Sequence, residues 1–207
     1  MGIKNVKQID YPCFLRDCSV ELNNLRSLAI QKNAPILLMI GILARYKGLD
    51  LLVDALHSVR ENYHLIVAGY NQEYHKDEIQ HYKEILKGHV TFDLHYLSEG
   101  EYVRYLSETD FIVLPYSNRF DGASGPLTDA VQFRKPVIAS DQASLGSIVR
   151  ENRLGVLFET GNVQELRQAI ESALQHKVQW NTKAEQYREN IVDLRRFIQK
   201  NQALYQE

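Results

Sequence analysis

The chain has 207 residues, a formal charge of -2, and 24 Lys and Arg against 26 Asp and Glu scattered without a basic block, which argues against charge-driven binding to nucleic acid or a membrane surface. A chain of this length buries roughly 70% of its unfolded surface and needs no covalent staples; its two cysteines, Cys13 and Cys18, make no disulfide framework and, as a lone C-x4-C, no zinc site. No apolar run approaches the roughly 20 residues of a membrane span and Met1 to Asn5 opens no secretory signal, so the expected setting is the cytoplasm, with both thiols reduced.

Residues 1–30 have no clean period, and Tyr11-Pro12 predicts an extended lead-in because the residue before a proline is pushed out of the α region. From residue 31 to about 180 the pattern is regular. Pro35 to Gly41 is a continuous apolar run ending in glycine, as expected of a strand buried on both faces. Gly48 to Arg60 then puts Leu49, Leu52, Val53 and Leu56 on one helical stripe. The theme repeats: strand His64–Gly69, helix Glu73–Lys87, strand Val90–Phe92, helix Glu99–Ser107, strand Phe111–Pro115, helix Gly125–Phe133, strand Pro136–Ala139, short helix Ser144–Glu151, strand Gly155–Phe158 and helix Val163–His176. About six apolar strands alternating with helices predict an α/β fold, a Rossmann-like, doubly wound parallel sheet with helices on both faces. Residues 181–207 form a third segment, a long helix from about Thr182 to Tyr205 with Ala184, Tyr187, Ile191, Leu194 and Ile198 on one face.

In such sheets ligands bind beyond the carboxyl ends of the strands. The loop Gly41-Ile42-Leu43-Ala44-Arg45-Tyr46-Lys47-Gly48 sets two cations beside a helix start, which suits a diphosphate or is simply a solvated basic turn. The loop Pro115 to Ser124 is followed by Gly125-Pro126, a capped helix start, with Asp129 one turn further on. Asp129 either favours the helix dipole or accepts hydroxyls of a sugar ring. Tyr70 and Tyr96 fall near strand ends, where they stack on a base or pack the sheet edge. The seven histidines show no metal-ligand spacing, no G-x-G-x-x-G follows a strand, and no G-x-S-x-G elbow is present, so a metal site, a nicotinamide dehydrogenase and an α/β-hydrolase are not expected.

Taken together, Tyr46-Lys47-Gly48-Leu49-Asp50-Leu51-Leu52, Leu114-Pro115-Tyr116, Ser124-Gly125, Lys135-Pro136-Val137-Ile138-Ala139-Ser140 and Gly155-Val156-Leu157-Phe158 resemble the C-terminal, nucleotide-sugar-binding domain of GT-B glycosyltransferases of the retaining, family 4 (group 1) type. The resemblance runs from about Ile36 to Leu174. It implies a donor-binding domain for a nucleotide-diphosphate sugar, with Lys47 and Asp121 at the reacting centre. Gly41, Arg45, Lys47, Gly69, Ser124, Gly125 and Asp129 would bind the donor, Lys47 on the diphosphate, amides near Ser124 and Gly125 on a phosphate, and Asp129 on the ribose. It implies no cofactor and no metal. Three positions depart from the pattern: Ile42 stands where the family has arginine, Asp121 and Asp129 replace the glutamates of E-x7-E, and Arg134 replaces a small residue. The family also carries an N-terminal acceptor domain, for which these residues leave no room.

The expectation is therefore the donor half of a glycosyltransferase, possessing a nucleotide sugar as ligand and an acceptor domain or separate subunit as partner, acting in glycan or cell-surface polysaccharide synthesis. Self-association through terminal segments, and attachment to the membrane periphery through the acceptor domain, belong to the same expectation; binding to nucleic acid does not. The alternative is a degenerate, non-catalytic nucleotide-binding or protein-interaction module.

Overall fold

The computed structural model describes residues 34–192 together with 198, 199 and 202. The expected lead-in, both cysteines and most of the last helix beyond Val192, Leu194 included, lie outside the described residues.

Six strands form one sheet: β1 (Ile36–Ile40), β2 (His64–Ala68), β3 (Val90–Asp93), β4 (Phe111–Leu114), β5 (Val137–Ser140) and β6 (Gly155–Phe158). All neighbours pair in parallel, in the order β3-β2-β1-β4-β5-β6. The chain walks outward from β1 to β3, then returns to β4 and walks the other way. The order reverses between β1 and β4, so the loops after these two strands lead to helices on opposite faces of the sheet, and in open parallel sheets the crevice that takes a ligand lies at such a reversal, at the carboxyl ends of the strands. Those loops are the two that the sequence singled out.

Why the strands are so apolar is visible in β1, every residue of which is buried. Ile36, Leu38 and Ile40 enter one core and Leu37 and Met39 the other, because successive side chains of a strand point to opposite faces. One face is covered by α1 (Leu49–His57), α2 (Lys76–Ile85) and α6 (Val163–Ser172), through Leu49, Leu52, Ile79, Leu166 and Ile170. The other is covered by α3 (Glu99–Glu108), α4 (Gly125–Gln132), α5 (Ala143–Asn152) and α7 (Thr182–Val192), through Leu106, Leu127, Val131, Val149, Ala184 and Ile191. The edge strands β3 and β6 are only partly buried, since each has a neighbour on one side alone.

Helix ends differ from the sequence expectation for local reasons. The second helix begins at Lys76 rather than Glu73, because the Glu78 carboxylate accepts the His75 N–H at 2.8 Å and fixes the first turn there. The α-helical part of α6 stops at Ser172, and Ala173–Lys177 continue as a wider π-helical turn. After α4, Arg134 takes the left-handed conformation (φ 53°), a site at which a small residue is easier, and its guanidinium makes a two-pronged pair with Glu185 of α7 at 2.9 and 2.8 Å.

Candidate active site at the strand-order reversal

After β1 the chain enters a 3-10 turn, Arg45–Lys47, and reaches Gly48, the N-cap of α1. Gly48 has φ 74°, and a Cβ there would stand 2.0 Å from the carbonyl oxygen of Pro115, so only glycine lets the β1–α1 and β4–α4 loops touch. The loops are further tied by the Ser117 N–H donating to the Tyr46 carbonyl at 2.7 Å.

Lys47 is 7% exposed, and its Nζ donates to the Ile40 carbonyl at 3.3 Å. Burial, with no carboxylate among the described residues paired to it, pulls its pKa down from 10.5 to about 8. At neutral pH it is thus a protonated cation in a place that disfavours charge. A Cβ on Gly41 would lie 3.0 Å from Nζ and 4.0 Å from Cγ of Pro126, so the glycine leaves a gap with this ammonium on one side and the first turn of α4 on the other.

Arg45, two residues earlier, is held quite differently. Its guanidinium meets Glu78 at 2.6 and 2.8 Å and Asp50 at 3.3 Å, and lies over the Tyr74 ring at 4.1 Å. The Glu78 bond raises its pKa further. Asp50 in turn accepts from the hydroxyls of Tyr74, at 3.1 Å, and Tyr82. This network clamps the β1–α1 turn onto α2, and the donors of Arg45 are turned to those carboxylates.

Across the crevice, Ser124 caps α4, its Oγ accepting the Leu127 N–H at 3.2 Å. Leu127 and Thr128 also donate to the Ser124 carbonyl at 3.1 and 3.2 Å, and Pro126 has no N–H. Of the first-turn amides, that of Gly125 is therefore the one placed to meet a ligand at the helix's positive end. Asp121 is exposed on the loop before the cap. Asp129, one turn inside, is 5% exposed and accepts the Tyr102 hydroxyl at 2.8 Å. Tyr102 stands on α3, 27 positions away, and no local sequence pattern points to it.

The crevice walls are aromatic as well as charged. Tyr46 stacks on Phe120 (centroids 5.6 Å, interplanar angle 8°), and Tyr116 meets the Phe120 ring edge-on at 4.6 Å while its hydroxyl lies 3.3 Å from Ser124 Oγ. Gly69, at the end of β2, has φ 132° and would place a Cβ 2.2 Å from the Gly41 carbonyl, so its smallness holds the loops after β1 and β2 together. Tyr70 and Tyr96 stack on each other at the surface, with centroids 4.2 Å apart, and Ile42 is 50% exposed nearby in sequence, on a loop bonded to Tyr70 through the Leu43 N–H.

A cleft of about 440 Å³ lies beside β5 and β6, lined by Asp141, Glu159 and Glu165. Its charge is of the wrong sign for a phosphate, so size does not make it the better anion site. Among the described residues no group of His, Cys, Asp and Glu is arranged to hold a metal ion, and no helix is long and apolar enough to cross a membrane.

The model of the "Glycosyl transferases group 1" family matches residues 21–192. The chain belongs to that family. It is 29% identical over 138 residues to the uncharacterized glycosyltransferase MJ1178 of Methanocaldococcus jannaschii, covering 64% of this chain and 36% of that protein. Its fold is that of solved GT-B glycosyltransferases. Sucrose-phosphate synthase of Thermosynechococcus elongatus superposes with a TM-score of 0.69 at 20% identity, over 89% of this chain and 49% of the other. Anabaena Alr3699/HepE, solved in complex with UDP, gives 0.72 at 17% identity, over 92% and 55%. The chain thus spans about a third of the curated relative and about half of these solved structures.

Proposed function

We propose that this group 1 glycosyl transferase domain is the donor-binding half of a sugar transferase, holding a nucleotide-diphosphate sugar at the reversal between β1 and β4. The observation that carries this is Lys47, a buried ammonium with a carbonyl but no carboxylate for a partner among the described residues, facing the gap at Gly41 and the start of α4. A diphosphate in that gap would supply the missing counter-charge and receive the Gly125 amide at the helix's positive end. Anabaena HepE, which shares the fold, is described in complex with UDP, which supports the choice of ligand.

As the bond from the anomeric carbon to the diphosphate oxygen breaks, its electron pair leaves with the diphosphate. Lys47 and the Gly125 amide stabilise that growing charge more than they stabilise the bound donor. Asp121, exposed on the loop before α4, would stand beside the transferred sugar. Arg45 contributes by holding the turn that carries Lys47, through its bonds to Asp50 and Glu78. The acceptor would be presented by a part corresponding to the rest of the longer relatives, in the same polypeptide or in a separate subunit.

Calorimetric titration with UDP-, GDP- and ADP-sugars tests this reading: at least one should bind, and the matching nucleoside diphosphate should compete with it. Binding of none of them overturns it. A second reading, a nucleotide-binding module without transfer, is favoured by Ile42 and by the shorter Asp121. Sugar transfer to an acceptor by the assembled protein, lost in Asp121→Asn, separates the two.

A further inference from the structure

The carboxylate that the family resemblance would set on a ribose is almost sealed from solvent. Asp129 is 5% exposed, and its Oδ2 is occupied at 2.8 Å by the Tyr102 hydroxyl, whose ring is only partly buried. Other tyrosines in this protein also donate to aspartates, Tyr74 and Tyr82 to Asp50 and Tyr105 to Asp93, but those side chains are 47% and 32% exposed. The Tyr102 pair differs in that its carboxylate is buried and lies one turn inside the helix that borders the crevice. Tyr102 itself is near the start of α3, which follows the carboxyl end of β3 on the same face of the sheet as α4.

A phenol has one hydrogen to donate and an oxygen that can also accept. With its hydrogen given to the Asp129 carboxylate, that oxygen becomes a stronger acceptor, because hydrogen bonds in a chain polarise one another. The phenol oxygen lies 2.8 Å beyond the Asp129 carboxylate. Aspartate and tyrosine together therefore reach further from α4 than the aspartate alone.

We propose that Tyr102 makes the contact to the ribose, its oxygen accepting a ring hydroxyl while Asp129 orients and polarises it. The inference rests on the nucleotide reading above and adds to it a specificity-determining residue. The test compares the affinity of the full chain for UDP, GDP and ADP with that for their 2'- and 3'-deoxy counterparts, in the wild type, Tyr102→Phe and Asp129→Asn. The wild type should prefer the ribonucleotide by about tenfold, the size of one hydrogen bond to a polarised group, and Tyr102→Phe should bring that ratio close to one. A ratio unchanged in Tyr102→Phe but lost in Asp129→Asn overturns the inference, since the carboxylate would then be reading the sugar directly. A wild type that binds the diphosphates without preferring ribose overturns it while leaving the nucleotide reading intact, and one that binds none overturns both.

Tyr102→Phe removes a partner from a buried carboxylate, so the unaltered chain supplies a second readout. With tyrosine rings labelled with carbon-13, the Tyr102 signal should shift on adding the ribonucleotide and much less with the deoxy analogue; equal shifts overturn the inference.

Discussion

The two loops that meet at the strand-order reversal hold their charged groups in opposite ways. In the β1–α1 turn the cation nearest the crevice, Lys47, is buried with a single carbonyl at 3.3 Å, while its neighbour Arg45 is surrounded by carboxylates. In the β4–α4 loop and the first turns of α4 the situation is mirrored for anions: Asp121, on the loop, is exposed, and Asp129, in the helix, is buried with a tyrosine hydroxyl already in place. An ion pair that exists only to stabilise a fold finds its partner inside the fold, as Arg45 does. A buried charge left without one costs stability, which is why the proposed donor site is centred on Lys47.

The contrast depends on the two loops touching, and the substitution that separates them should have the largest effect. Gly48→Ala combines a positive φ with a Cβ 2.0 Å from the Pro115 carbonyl oxygen, a backbone atom that cannot swing away. It should destabilise the chain by roughly 3–5 kcal/mol in urea unfolding, the sum of backbone strain and overpacking.

Next in size is Lys47→Met, which should move stability and binding in opposite directions. The folded pKa of Lys47, about 8, lies below the ordinary 10.5, so at neutral pH the folded state carries a penalty for keeping it charged. Removing the charge should stabilise the protein by about 3 kcal/mol at pH 7, from 1.36 kcal/mol per pKa unit, while nucleotide-diphosphate affinity falls tenfold or more. The sign with pH follows: between about 8 and 10.5 the unfolded wild type holds the proton and the folded form does not, so wild-type stability rises over that window and the advantage of methionine shrinks. Unfolding midpoints of both proteins across pH 7–10 check this, and a destabilised Lys47→Met would break the comparison.

Arg45→Ala sharpens it from the other side. Its pairs are partly exposed, so the loss should be about 1 kcal/mol of stability, with nucleotide affinity changed by less than about threefold. The smallest effect belongs to the far end of α4. Arg134→Gly relieves a left-handed residue and forfeits a surface pair with Glu185, two terms of about 1 kcal/mol that oppose each other, so the net change should stay within about 1 kcal/mol.

How much of this was legible in the sequence follows from how local each feature is. The strands announced themselves because both faces of β1, β2, β4 and β5 are buried and, apart from His64 at the start of β2 and Ser140 at the end of β5, their residues are apolar. Ser124 followed by Gly125-Pro126 announced a helix start, and the structure places a cap there. Features that join distant segments were not legible. Nothing around residue 102 says that its hydroxyl meets Asp129, and nothing around Arg45 and Lys47 says which one the carboxylates on α1 and α2 will hold. Tyr70 and Tyr96 were readable as aromatic groups near strand ends, but their stacking on each other depends on the lateral pairing of β2 with β3.

The most direct test of the central claim is a crystal structure of the chain with a bound nucleoside diphosphate. The account predicts the diphosphate in the gap at Gly41, with an oxygen within hydrogen-bonding distance of Lys47 Nζ and another at the Gly125 amide. A nucleotide bound elsewhere with Lys47 still donating only to Ile40, for instance beside Asp141 and Glu165, would contradict it.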